Sequence, residues 1–91
     1  MKELEKILKG LANKRRLAII RLLLKSKEAT VADIAEQIKL SFKSTSKHLA
    51  ILHQLDILDR RQENLNMYYR LSDSLPEIVR LLSRVISNSR E

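Results

Sequence analysis

The chain of 91 residues contains no cysteine and no tryptophan, one glycine, one proline, two tyrosines and one phenylalanine. Without cysteine there are no disulfides and no thiolate metal sites, a composition that suits a reducing cytosol. A single Gly and a single Pro leave little loop chemistry, which predicts short connections between mostly helical elements. Three aromatic residues give no stacking platform of the kind that single-stranded RNA recognition favours. No apolar run approaches the roughly 20 residues of a membrane span, and the N-terminal stretch lacks a signal-peptide apolar core. The expectation is one soluble, cytoplasmic domain over residues 1–91 with no membrane contact. A chain this short is marginal as a monomer, so a partner subunit is the natural supplement.

Acid is also in short supply. Eighteen Lys and Arg stand against eleven Asp and Glu, a formal net charge of +7, and the pI is about 10.1. Such a balance favours a polyanionic partner, nucleic acid first and a membrane surface second, although a generally basic, well-solvated protein has the same total. Basicity concentrates in residues 1–27, with nine Lys/Arg and two Glu, and returns in residues 41–70, with five Lys/Arg and three Asp/Glu.

Apolar periodicity outlines five helices. Leu4, Ile7, Leu8 and Leu11 predict a first helix over Lys2 to Leu11. Asn13 is an N-cap candidate for a second, central helix carrying Leu17, Ile19, Ile20, Leu23 and Leu24. It should end near Lys25, with Ser26-Lys27-Glu28 as a polar loop. Thr30 to Asp33 reads as a capping box opening a third helix with Ile34, Ala35 and Ile38 inward. After the short Lys39-Leu40 connection, Ser41 caps a fourth helix that runs to about Leu55. Two short helices joined by a tight turn over 30–55 form the helix-turn-helix outline. The runs Ile57 to Arg61 and Met67 to Leu71 are strand-like and flank the polar tip Gln62 to Asn66, so a hairpin over 57–71 is expected. Asn64 and Asn66 can take the positive-φ positions of its turn. Ser74-Leu-Pro-Glu77 reads as a second capping box, opening a last helix over 74–88, and Ser87 to Glu91 should fray. The predicted fold is mostly α with a small β-hairpin: a winged helix-turn-helix of five helices and a two-stranded wing.

The start of the fourth helix carries the chemistry. Ser41, Phe42, Lys43, Ser44, Ser46, Lys47 and His48 set small hydroxyls and two lysines at a helix N-terminus, where free amides and the dipole attract phosphate. Lys43 and Lys47 are spaced i, i+4 and suit base edges in a major groove. Arg60, Arg61, Asn64, Asn66 and Tyr68 of the hairpin suit phosphate and minor-groove contact. An ordinary solvated helix face and simple hairpin solubility are the bland alternatives. The run Lys14-Arg15-Arg16 divides evenly between backbone contact and a solvated face. His48 lies near Ser46, yet no acid is placed to orient the ring and no glycine turn could form an oxyanion hole, so an enzyme is not expected. His48 and His53, at i, i+5, fall on different helix faces and make no metal site.

The last helix carries more apolar residues than one buried face needs, and the first helix lies outside the helix-turn-helix. Leu4, Ile7, Leu8 and Leu11 of residues 1–12, with Ile78, Leu81, Leu82, Val85 and Ile86, are the expected homodimer interface. An isologous pairing through them would set two recognition helices about 34 Å apart on an inverted repeat of double-stranded DNA. Both helices could instead complete a monomeric core.

The segments LKGLANKRRLAIIRLLL, TVADIAEQIKLSFKSTSKHLAILHQLDILDRR and MYYRLS together resemble the ArsR-type family of winged-helix repressors over nearly the whole chain. The resemblance implies a dimer, a five-helix and two-strand fold, and DNA contacts from the fourth helix and wing, with Phe42, Lys43, Ser46 and Lys47 facing the groove. Phe42 replaces a polar residue usual in the family and could meet a thymine methyl. Asp56 stands where the family prefers glycine. Val31 to Glu36 holds no cysteine where thiol sensors do, and the last helix has neither histidine nor a clustered acid pair. No metal, cofactor or transition-metal sensing is therefore expected. The function expected is sequence-specific transcriptional regulation, as a repressor. A winged-helix module that binds protein instead is the alternative, since one fold hosts both uses.

Overall fold

The computed structural model describes residues 1–89, and the expected fraying at 90–91 lies outside them. The elements run α1 (Lys2–Leu11), α2 (Lys14–Ser26), β1 (Glu28–Thr30), α3 (Val31–Ile38), α4 (Phe42–Gln54), β2 (Leu58–Glu63), β3 (Asn66–Leu71) and α5 (Glu77–Asn88). Three helix starts rest on the expected caps. The Asn13 side chain accepts from the amides of Arg15 and Arg16, Thr30 from that of Asp33, and Ser41 from that of Ser44. Each satisfies amides that the helix itself leaves open.

Ile19, Ile20 and Leu23 of α2 are at the centre of the core, packed with Ile34, Leu49, Leu52, Ile57, Leu58, Tyr69 and Val79. α3 and α4 form the helix-turn-helix. Both end on a residue with left-handed backbone, Lys39 at φ 57° and Asp56 at φ 61°. In each, the amide of the residue after it reaches back to close the last turn, Leu40 to the Ala35 carbonyl and Ile57 to that of Leu52. These positions favour glycine, and here Lys and Asp occupy them. The one glycine serves a different need. Gly10, buried in α1, lies against the Leu55 side chain so closely that a Cβ would overlap Leu55 Cδ1.

Four expectations are corrected. The two-stranded wing is present as the β2–β3 hairpin, but the sheet gains a third strand at residues expected as a loop, in the order β1-β3-β2 and antiparallel throughout. Glu28 leaves the polar loop to pair with Arg70, and Ala29, opposite Tyr69, is buried. The outer edge of β3 offers ladder partners that a free loop would have to find in water. Second, α5 opens at Glu77 rather than after a Ser74 cap. A residue preceding proline is sterically pushed out of the α region, so Leu75 cannot begin a helix ahead of Pro76. Instead the Pro76 carbonyl accepts from the amides of Val79 and Arg80. At the other end, the helix retains Ser87 and Asn88.

Third, the wing tip is a two-residue loop, Asn64-Leu65, between the paired Glu63 and Asn66. Asn64 has φ 58°, whereas Asn66 lies in β3 without a positive φ. Fourth, Leu11 and Ile86 are core residues, 5% and 8% exposed, so neither is open to a second protomer. Ile7, Ile78 and Leu82 also pack against the core, each from a partly buried position. Leu4, Leu8, Leu81 and Val85 keep their side chains in solvent. Among the described residues, no helix is long and apolar enough to cross a membrane.

Candidate nucleic-acid interface

α4 has two unlike sides. Thr45, Leu49 and Leu52 are buried at helical spacing. Lys43, Lys47, Ala50 and Gln54 lie opposite and are exposed. Ser41 and Phe42 are exposed at its start, and Ser44 and Ser46 are half-buried on its flanks. Phe42 leaves 60% of its surface in solvent. No acidic residue occurs anywhere in α4, and among the described residues neither lysine takes part in an ion pair. The stripe can therefore offer two uncompensated ammonium groups to an anion.

His48 is placed differently. Its Nδ1 lies 3.2 Å from the Arg16 guanidinium, and the same guanidinium donates through Nε to the Gly10 carbonyl at 2.6 Å. Arginine can only donate, so Nδ1 must accept and the ring proton sits on Nε2. Burial, then the charges of Arg16 and Arg15, hold the His48 pKa below its usual value. Arg16 thus joins the last turn of α1 to the middle of α4. Spacing alone did not identify this role, and the Lys14-Arg15-Arg16 charge run was its only sequence signal.

The wing cations are engaged within the fold. Arg61 bonds both oxygens of Glu28, at 2.9 and 3.0 Å, and Glu63 at 2.6 Å. It also lies over the Tyr68 ring, 4.4 Å from its centroid, a cation–π contact. The hydrogen bond from Arg61 holds the Glu28 carboxyl below its ordinary range. The carboxylates in turn raise Arg61 further. Arg70 pairs with Asp73 at 3.2 Å and Asp59 at 3.6 Å, and its pKa is raised chiefly by the hydrogen bond to Asp73. Alternation puts these pairs on one sheet face, with Glu28, Asp59, Arg61, Glu63, Tyr68 and Arg70. Arg60 falls on the other face, exposed, with no ion pair among the described residues. Asn64 and Asn66 flank the tip, where Leu65, not singled out by sequence, is 98% exposed.

Among the described residues, no three of His, Cys, Asp and Glu gather closely enough to hold a metal ion.

Residues 13–60 match the family model described as bacterial regulatory protein, arsR family. The transcriptional activator HlyU of Vibrio cholerae is 31% identical over 86 residues, covering 93% of this chain and 79% of that protein. Its solved structure aligns with a TM-score of 0.79 at 32% identity, over 92% of this chain and 91% of that one. The homodimeric winged helix-turn-helix DNA-binding domain Mb0332 of Mycobacterium bovis aligns with a TM-score of 0.77 at 29% identity, covering 93% and 75%. The transcriptional repressor PagR of Bacillus anthracis aligns with a TM-score of 0.73 at 27% identity, covering 93% and 90%.

Proposed function

The chain belongs to the ArsR family of bacterial regulatory proteins, and on that premise we propose that it regulates transcription as a cytoplasmic homodimer bound to an inverted repeat in double-stranded DNA. It is a regulator rather than an enzyme. The observation that carries the reading is the outward stripe of α4, with Lys43 and Lys47 opposite the buried Thr45, Leu49 and Leu52 and no acid on the helix. In a major groove these lysines meet guanine acceptors, Ser44 and Ser46 adjust to either donor or acceptor, and Phe42 meets a thymine methyl. Ser41 and the open amides of the first turn take phosphate. Arg60, Asn64 and Asn66 carry the wing's share, and Arg61 contributes less because two carboxylates already hold it.

The homodimer forms through the exposed apolar residues Leu4 and Leu8 of α1 and Leu81 and Val85 of α5. Leu81→Glu converts it to a monomer in sedimentation and weakens operator binding. A variant that stays dimeric would move the interface elsewhere. No thiol or metal sensing is part of this reading, which rests on a chain without cysteine and an α5 without histidine.

A footprint over a promoter excludes polymerase, so repression is the expected sign, although HlyU is described as an activator and PagR as a repressor. A reporter whose output falls on deletion of the protein would reverse it. The decisive experiment selects bound duplexes from a random pool and titrates the winner against salt. An enriched inverted repeat with strongly salt-dependent affinity is expected. A pool that never enriches would favour a protein-binding module, for which the exposed Phe42 and Ile51 of α4 are the supporting feature.

A further inference from the structure

Outside α4, positive charge is densest on α2. The helix holds Lys14, Arg15, Arg16, Arg21 and Lys25 and no acid. Arg16 is committed to Gly10 and His48. The other four edge an open groove of about 600 Å³ between α2 and the end of α3, where Gln37 and Ile38 line it. No acidic residue lines this groove. Lys14 and Lys25 lie three helical turns apart, so the cationic edge is about 16 Å long.

This arrangement works against the free protein. Lys14 and Arg15 sit in the first turn of α2, where the helix dipole disfavours cations, and no acid accompanies them there. Among the described residues, no carboxylate forms an ion pair with Lys14, Arg15 or Lys25. An anion in the groove would relieve both penalties. The groove is long and open rather than closed, which suits a linear polyanion better than a small ion. Arg15 also acts electrostatically on His48 of α4, so the rail adjoins the recognition helix.

We propose that the α2–α3 groove is a second, sequence-independent DNA contact, whose lysines hold the phosphate backbone of the duplex that α4 reads. The proposal rests on the DNA-binding reading above and adds a surface, carried mainly by α2, beyond the contacts of α4 and the wing.

The test compares wild type with a Lys14→Gln, Lys25→Gln double variant on the selected duplex and on a random-sequence duplex. Arg15 and Arg16 are left intact because they act on His48. Affinity for both duplexes should fall by the same factor, roughly tenfold at physiological salt, with the salt slope shallower by up to about two per protomer. The ratio between the two duplexes should persist, and the thermal midpoint should not drop. Lys14→Arg with Lys25→Arg should restore affinity and slope. Unchanged affinity and slope, as expected if the groove holds an acidic protein segment instead, would overturn the proposal. So would a loss confined to the selected duplex. Wild type that binds neither duplex defeats the DNA-binding reading itself, a separate outcome.

Discussion

The recognition helix and the wing both display cations, yet those charges meet different neighbours. Lys43 and Lys47 share α4 with no acid and form no ion pair among the described residues. Arg61 and Arg70, on the outer face of the sheet, are answered by Glu28, Glu63, Asp59 and Asp73. An exposed cation releases condensed counterions from DNA only to the extent that its charge is not already balanced. On the proposed reading, exposure alone does not rank the basic residues as DNA contacts, and the local pairing pattern separates α4 from the wing.

The largest expected effect follows directly. Replacing Lys43 and Lys47 together by alanine should weaken operator binding about a hundredfold and random duplex much less, because base-edge contacts carry the discrimination. Arg61→Ala should cost under about threefold on either, since its charge is compensated at home. Equal losses from the two changes would erase the distinction between helix and wing. Fluorescence anisotropy on both duplexes measures all four numbers.

Arg16→Ala comes next. It removes a donor from the Gly10 carbonyl and another from His48 Nδ1, and hydrogen bonds from a charged group are worth more than neutral ones. Unfolding free energy should drop by about 2 kcal/mol in urea titrations. A variant of unchanged stability would mean that α1 and α4 are held by packing alone, as through Gly10 against Leu55.

A third change isolates the buried side of α4. Thr45 is fully buried and its hydroxyl has no hydrogen-bond partner within the described protein. Thr45→Val keeps the shape and removes an unsatisfied polar atom, so stability should rise by about 1 kcal/mol with DNA affinity unchanged. A loss of stability would show that the hydroxyl is satisfied in solution.

These contrasts mark what could be read without the structure. The helices were legible because their signals are local: apolar spacing, and the caps Asn13, Thr30 and Ser41. The outward lysine stripe followed from the same periodicity. What was hidden depends on distant partners. β1 is a three-residue strand that exists because β3 has an open edge. Glu28 and Arg61 are 33 positions apart, and Arg16 and His48 are 32. Leu11 and Ile86 are no more apolar than Leu8 and Val85 on the same helices, and only packing on α2 and its neighbours separates core from surface. The start of α5 follows a local rule: the restriction that Pro76 places on Leu75 overrides the capping-box pattern, so the helix opens at Glu77.

A smaller effect would sharpen the comparison from the wing's side. Glu28→Gln with Glu63→Gln should leave Arg61 uncompensated over Tyr68. Affinity for any duplex should rise about threefold, with the salt slope steeper by about one per protomer. Affinity that stays level would place Arg61 out of reach of phosphate.

The smallest expected effect is a difference in pH windows between the two regions. The His48 ring is held below its ordinary value by burial and by Arg16 and Arg15, while in the unfolded chain it returns to about 6.5. The unfolded state then binds more protons over that interval. The contribution is complete above about pH 6.5 and is lost as pH falls through the depressed folded value. Glu28 is also depressed, by its hydrogen bond from Arg61, from an ordinary value of 4.5. Its contribution persists above about pH 4.5 and disappears only in stronger acid. Urea midpoints should therefore slip between pH 7.5 and 5.5 in wild type. They should hold steadier in His48→Gln, whose side-chain carbonyl can still accept from Arg16. Glu28→Gln should retain the upper window and flatten the curve below pH 4.5. Parallel curves for wild type and His48→Gln would mean that the Arg16 contact does not depend on the charge state of the ring, and that the recognition helix and the wing respond to acid alike.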